Sequence, residues 1–310
     1  MKLPDRNIFY LNRLGPTPLT PIQLAPGEPK IWCKLEFLNP SGSTKDRIAR
    51  FILEKAWREG RIRAGATVIE ASSGSTSIAM ALACAQLGVH FLAVMPEGVS
   101  NERVMIIRAY GGDIRFTSKA GGILEAIAET ERLASESGAF LPRQFANPEN
   151  AQAHRYGTAR EILDQIPGGG VDAVVSGVGT GGTLVGLYQG FCDASCQVIP
   201  VCVRPVDFTG GEPDVECCSF SARIPGVVDC VSKIFREEAL PGLKTLEVRA
   251  TDAMQTTRAL MRRGFPVGPS SGLNYRAAVE TATMLDPDAA QVVTVFPDRM
   301  ERYFTTELFR

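Results

Sequence analysis

The 310-residue chain reads as an α/β protein with parallel sheets flanked by helices, on three observations. Short apolar runs of strand composition alternate with longer segments of helical spacing. Two of those runs pass straight into turns crowded with glycine or small hydroxyl residues, and each turn opens a helix. The composition, 45% hydrophobic and 22% charged with a net charge of -1, is that of a chain able to bury a sizeable core, with no electrostatic hold on nucleic acid.

Taken in order, an extended run at 30–37 ends at Asn39-Pro40, and Ser41, Gly42, Ser43 and Thr44 are turn and N-cap residues. Ile48, Phe51, Ile52 and Ala56 follow at helical spacing, which puts Lys45 in the first turn of a helix. A cation there opposes the helix dipole, and desolvation disfavours its charged form, so both effects free the amine as a nucleophile. Lys45 is the candidate Schiff-base lysine. An apolar strand around Val68-Ile69 leads into Glu70-Ala71-Ser72-Ser73-Gly74-Ser75-Thr76-Ser77 and a helix at 78–87. Hydroxyls and N–H groups at such a turn grip a carboxylate without burying an unpaired charge. Strands at 91–95 and 114–117 and a helix at 123–133 come next. Further strands are expected at 173–176, 198–203 and 292–296, and helices at 184–191, 253–261 and 273–284, the last opened by Gly268-Pro269-Ser270-Ser271-Gly272.

The strand at 173–176 runs into Gly177-Val178-Gly179-Thr180-Gly181-Gly182-Thr183. Glycines let backbone N–H groups converge on an anion, the helix start adds positive potential, and Thr180 and Thr183 carry hydroxyl donors, so the segment suits a phosphate. It also contains a literal G-x-G-x-x-G at Gly177, Gly179 and Gly182, the fingerprint of a dinucleotide site, and spacing alone does not separate the two. A nicotinamide site calls for an acid near the end of the next strand. That strand runs into Arg204-Pro205, with Asp207 late, and a dehydrogenase has no use for Lys45.

Other segments join these in order: Gly15-Pro16-Thr17-Pro18-Leu19, Lys34-Leu35-Glu36, Met95-Pro96-Glu97-Gly98-Val99-Ser100-Asn101-Glu102-Arg103, Gln144-Phe145-Ala146-Asn147-Pro148-Glu149-Asn150, His154, and Pro297-Asp298-Arg299-Met300-Glu301-Arg302-Tyr303. Together they resemble the cysteine synthase and cystathionine β-synthase family, β-replacement enzymes of the fold type II pyridoxal phosphate class. The resemblance covers almost the whole chain. It implies a two-lobed, tryptophan synthase β-like fold with a smaller mobile lobe at 40–145, a larger lobe from 1–39 plus 146–310, and pyridoxal 5'-phosphate between them. Lys45 would be the cofactor lysine and catalytic acid/base. Gly179, Thr180, Gly181, Gly182 and Thr183 would hold the cofactor phosphate, and Ser270 would meet the pyridine nitrogen. Ser72, Ser73, Thr76 and Gln144 would bind the substrate carboxylate.

A serine at Ser270 leaves the ring a weaker electron sink than an aspartate would, which favours loss of a β-substituent over transamination. The resemblance therefore implies β-replacement on an activated serine, O-acetylserine or O-phosphoserine, through an aminoacrylate, with cysteine synthesis from sulfide as the first reading. Elimination of the cysteine desulfhydrase type, or replacement by a nucleophile other than sulfide, is the alternative. Two positions depart from the family pattern. Ser75 stands where an asparagine usually reaches the cofactor's phenolic oxygen, and Met300 stands where glycine is common.

The start of the chain lacks a signal-peptide core, and no apolar run is long enough for a bilayer. No regulatory tandem extension or haem-binding extension is expected. Of eight cysteines, Cys33 and Cys84 fall inside expected elements and Cys192 and Cys196 do not form C-x-x-C, while His90 and His154 are far apart, so reduced thiols and no metal are expected. Arg223 is a candidate for an anionic leaving group, and Cys217-Cys218 for redox sensitivity. A cytoplasmic homodimer acting on a small amino acid, with no nucleic-acid or membrane partner, completes the expectation.

Overall fold

The computed structural model describes residues 14–206, 224 and 232–310. Its strands are β1 (Leu19–Ile22), β2 (Ile31–Lys34), β3 (Thr67–Ala71), β4 (His90–Pro96), β5 (Asp113–Thr117), β6 (Ala173–Gly177), β7 (Ile199–Val206), β8 (Lys244–Arg249) and β9 (Val292–Val295). The helices are α1 (Lys45–Arg58), α2 (Ser75–Leu87), α3 (Asn101–Ala109), α4 (Gly122–Ser137), α5 (Glu149–Ala153), α6 (Ala159–Gln165), α7 (Gly182–Asp193), α8 (Ala250–Arg262) and α9 (Pro269–Leu285). The described residues form two units, one from Asn39–Glu149 with Glu301–Arg310, the other from Pro16–Leu38 with Asn150–Met300.

In the first unit β3, β4 and β5 make a parallel sheet, with Val68 opposite Phe91 and Val94 opposite Arg115. Helix α2 buries Ile78, Ala79, Met80, Ala81, Ala83, Cys84 and Leu87, an apolar surface on nearly every side. Helix α1 supplies Ala49, Leu53, Ala56 and Trp57 to the same core. Gly88, left-handed at φ 66°, ends α2 and turns the chain into β4.

In the second unit the strand order is β1-β2-β9-β6-β7-β8, parallel throughout except for the antiparallel β1–β2 pair. Alternate strand residues feed two cores. Ala173, Val175, Val201, Val203 and Val292 join α8 and α9 on one face, while Val174, Cys202, Val293 and Val295 join α6 and α7 on the other. Helices on both faces explain why these strands read as unbroken apolar runs.

The expected strands and helices appear within a few residues of their expected bounds. The run at 30–37 divides into β2 and a 3-10 turn at Glu36–Leu38, where the Phe37 N–H donates to the Phe296 carbonyl at 3.2 Å. Strands β1 and β8 go beyond the sequence reading. Both are sheet edges, and Pro21 in β1 and the charged, half-exposed β8 mask the strand signal as edge positions allow.

The first unit takes in Asn39–Glu149 together with Glu301–Arg310. The Ser100 hydroxyl donates to the Arg302 carbonyl at 2.9 Å, and the Thr305 N–H and hydroxyl donate to Glu102 at 2.9 and 3.0 Å. Among the described residues no helix is long and apolar enough to cross a membrane, and no His, Cys, Asp and Glu cluster could hold a metal ion. Arg223, Cys217 and Cys218 lie outside the described residues.

Candidate active site

In the first unit Lys45 is the opening residue of α1 and is half-buried. The expected hydroxyl cap is met in part: Ser43 Oγ accepts the Lys45 N–H at 3.3 Å, while Thr44 makes no capping bond with its side chain. Asp46, fully buried, also reaches back, accepting from the Ser41 N–H at 2.9 Å, the Ser43 N–H at 3.4 Å and the Ser41 hydroxyl. A carboxylate accepts several such bonds at once and complements the helix dipole, which a single hydroxyl cannot do. The buried Arg302 guanidinium donates to the Ser41 carbonyl, so the loop that aims Lys45 is tied at both ends. The buried Thr44 hydroxyl, next to Lys45, has no hydrogen-bond partner among the described residues.

The 72–76 turn leaves β3 and opens α2. Ser72 Oγ accepts from the Gly74 N–H at 2.9 Å, and Gly74 takes φ 149°, a conformation open to glycine. A Cβ on Gly74 would lie 2.2 Å from Arg103 Cδ. Arg103 is buried, donates to the Ser73 carbonyl at 3.3 Å and stacks 5.1 Å over the Tyr303 ring. Gln144 braces the turn: its Nε2 donates to the Ala71 carbonyl and its Oε1 accepts from the Thr76 hydroxyl, both at 2.6 Å. Glu70 holds Gln144 in turn, accepting its backbone N–H at 3.1 Å, and burial pushes the Glu70 carboxyl up to about 8. Ser72, Ser73, Ser75, Thr76 and Gln144 are thus gathered at one helix start. The Thr76 proton is directed to Gln144, so Ser72, Ser73 and the N–H groups of the first turn are the donors suited to a carboxylate.

In the second unit the 177–183 loop joins β6 to α7. Gly181 is left-handed at φ 77°, and a Cβ there would lie 2.5 Å from Phe235 Cβ. A Cβ on Gly182 would lie 1.9 Å from Asn150 Oδ1. The Ser232 hydroxyl donates to the Thr180 carbonyl at 2.6 Å and accepts the Ile234 and Phe235 N–H groups, which locks the loop from outside. The first helical bond runs from Val185 N to Gly181 O, so the N–H groups of the α7 first turn have no acceptor within the helix. Bare backbone at a helix start, flanked by the Thr180 and Thr183 hydroxyls, fits a phosphate.

Ser270 sits in the first turn of α9 and is buried. One turn on, Asn274 accepts the Gly177 N–H at 2.7 Å and donates to the Val295 carbonyl at 2.8 Å, which pins α9 to the ends of β6 and β9. Sequence reasoning gave no role to Asp46, Glu70, Arg103, Asn274 or Arg302. Asp46, Arg103 and Arg302, inside motif segments, and Glu70, inside the hydroxyl-rich turn, carried a signal, whereas Asn274 carried none.

Comparison with known proteins supplies what geometry alone does not. The family described as pyridoxal-phosphate dependent enzyme matches residues 10–298. A cysteine synthase of Staphylococcus aureus is 36% identical over 285 residues, covering 90% of this chain and 89% of that protein. The crystal structure of an O-acetylserine dependent cystathionine β-synthase from Helicobacter pylori superposes with a TM-score of 0.86 at 31% identity, over 97% of this chain and 98% of that one. A hydrogen sulfide-producing enzyme from Fusobacterium nucleatum gives a TM-score of 0.84 at 28% identity, over 95% and 98%.

Proposed function

The chain belongs to the family of pyridoxal-phosphate-dependent enzymes, and from that premise we propose that it replaces the β-substituent of an activated serine, with O-acetylserine or O-phosphoserine as substrate and sulfide as nucleophile. Two observations carry the reading: the first unit places a half-buried lysine at a helix start, and the second holds a glycine loop that admits no Cβ at Gly181 or Gly182. The G-x-G-x-x-G at Gly177, Gly179 and Gly182 is then a phosphate cradle and not a nicotinamide site.

Lys45 would hold pyridoxal phosphate through its amine, residues 179–183 would hold the phosphate, and Ser270 would face the pyridine nitrogen. Pyridoxal phosphate supplies, when bound, an electron sink for charge at the substrate Cα. The Ser270 hydroxyl limits that sink, and Ser72 and Ser73 grip the substrate carboxylate. Lys45 Nζ would accept the Cα proton and later return one to Cα. Over the reaction as a whole the bond from Cβ to the activating group would break, its pair leaving with that group, and a Cβ–S bond to the nucleophile would form.

A second reading is elimination, in which water completes the reaction and pyruvate and ammonia leave. Ser75 favours it, because a serine at the start of α2 reaches less far than the usual asparagine, and the likeness to a hydrogen sulfide-producing enzyme points the same way. The setting proposed is a cytoplasmic homodimer. Among the described residues Cys33, Cys84, Cys192 and Cys196 are free thiols, as a reducing compartment allows. Incubation with O-acetylserine and sulfide, with cysteine, pyruvate and ammonia all quantified, separates the two readings.

A further inference from the structure

We propose that Asn150 and His154 are positioning residues that turn the hydroxyl protons of Thr180 and Thr183 toward the bound phosphate. The inference rests on the assignment of residues 179–183 as the phosphate site. It begins with three glycines at a spacing of four on one face of α7. A Cβ on Gly182 would lie 1.9 Å from Asn150 Oδ1, on Gly186 2.2 Å from the Ala151 carbonyl and 2.7 Å from His154 Cβ, and on Gly190 2.4 Å from Ala159 Cβ. The segment from α5 through the π turn His154–Thr158 therefore lies directly on the helix whose start is the cradle. Close approach of the two backbones brings short side chains within bonding range of the loop.

Two of those side chains meet the cradle hydroxyls. Asn150 Nδ2 donates to Thr180 Oγ1 at 2.9 Å, and His154 Nε2 lies 3.3 Å from Thr183 Oγ1. The direction of the second bond follows from the far side of the ring, where His154 Nδ1 lies 3.0 Å from Thr158 Oγ1. Thr158 is fully buried, and among the described residues that nitrogen is the acceptor its hydroxyl has. A buried hydroxyl that donated to nothing would cost free energy. Nδ1 therefore accepts, the proton of the neutral ring sits on Nε2, and Nε2–H donates to Thr183. Each cradle threonine then receives a hydrogen bond on its oxygen, and its own proton is left to point at the anion. The phosphate meets two committed donors instead of two hydroxyls free to rotate away.

The test compares pyridoxal phosphate with pyridoxal, which offers Lys45 the same aldehyde without the phosphate. Each is titrated into the full chain stripped of cofactor, and the visible absorbance of the lysine-bound form is followed. Asn150→Leu and His154→Phe should each raise the dissociation constant for pyridoxal phosphate about tenfold, as loss of one oriented donor to an anion implies. Pyridoxal binding should stay within about twofold, and His154→Gln, which keeps an N–H donor, should recover most of the loss. Equal weakening of both compounds would mean a merely structural role, and no weakening of either would mean no role; each result overturns the inference. Thr183→Val separates it from the reading beneath it. If that variant keeps the preference for the phosphorylated compound, the phosphate assignment itself fails; if it loses the preference while Asn150→Leu and His154→Phe keep it, only the orienting role fails.

Discussion

Replacing Gly74 by alanine isolates what holds the 72–76 turn. The backbone there, at φ 149° and ψ -63°, lies outside the regions an L-residue adopts, a cost of about 2 kcal/mol. The new Cβ, 2.2 Å from Arg103 Cδ, also expels the Arg103 side chain from its buried seat. That breaks the bond to the Ser73 carbonyl, worth about 1.5 kcal/mol for a charged donor, and the stack on Tyr303, worth about 1 kcal/mol. The expected loss is about 4.5 kcal/mol. Gly88 supplies the control, since it is left-handed at φ 66° but a Cβ there meets nothing within 4 Å, so Gly88→Ala should cost about 1 kcal/mol. Urea denaturation of both variants measures the difference. Gly74→Ala should in addition raise KM for the amino acid, because the Ser73 carbonyl loses its tether. A Gly74→Ala variant no less stable than Gly88→Ala would refute the clamping role of Arg103.

Three further outcomes follow from the same geometry. Burial raises the folded-state Glu70 carboxyl from 4.5 to about 8, so its stabilising contribution is complete below about 4.5 and is lost as pH rises through about 8. The melting temperature of the native chain should fall across that window relative to Glu70→Gln, and parallel pH profiles would contradict the assignment. Gly182→Val should abolish cofactor retention and also lower the stability of the cofactor-free chain by roughly 2 kcal/mol or more, because its side chain would displace Asn150; differential scanning calorimetry of the stripped protein checks it. Ser75→Asn should change the ratio of β-replacement product to pyruvate by several-fold, on the order of 1 kcal/mol in relative barrier heights. Equal ratios by direct product quantification would make Ser75 a silent substitution.

Features written in consecutive residues were legible in the sequence. The 72–76 turn, the 177–183 loop and the start of α1 each combine strand, turn and helix signals within a dozen residues, so local chemistry announces them. The two-faced sheet was legible for the same reason, because burial on both sides leaves an unbroken apolar run. What escaped depends on partners brought together by folding. Arg103 meets Gly74 across 29 positions and Tyr303 across 200, and neither contact leaves a periodic trace. The return of Glu301–Arg310 to the first unit is likewise carried by a few bonds, to Ser41, Ser100 and Glu102. Asp46 ties the loop before its own helix start by accepting the Ser41 and Ser43 N–H groups, a pattern that the run of preceding hydroxyls concealed. Met300 opens a 3-10 turn, with its N–H donating to the Pro266 carbonyl at 3.1 Å, and it has no positive φ that would call for the family's glycine.

The central claim is that this chain joins a nucleophile to the β-carbon of an activated serine using pyridoxal phosphate held by Lys45. Product identification by mass spectrometry after incubation of the purified chain and of Lys45→Ala with O-acetylserine and sulfide tests it most directly. The account predicts cysteine as the main product of the native chain and no turnover by the variant, whereas pyruvate and ammonia as the only products, or unchanged activity in Lys45→Ala, would contradict it.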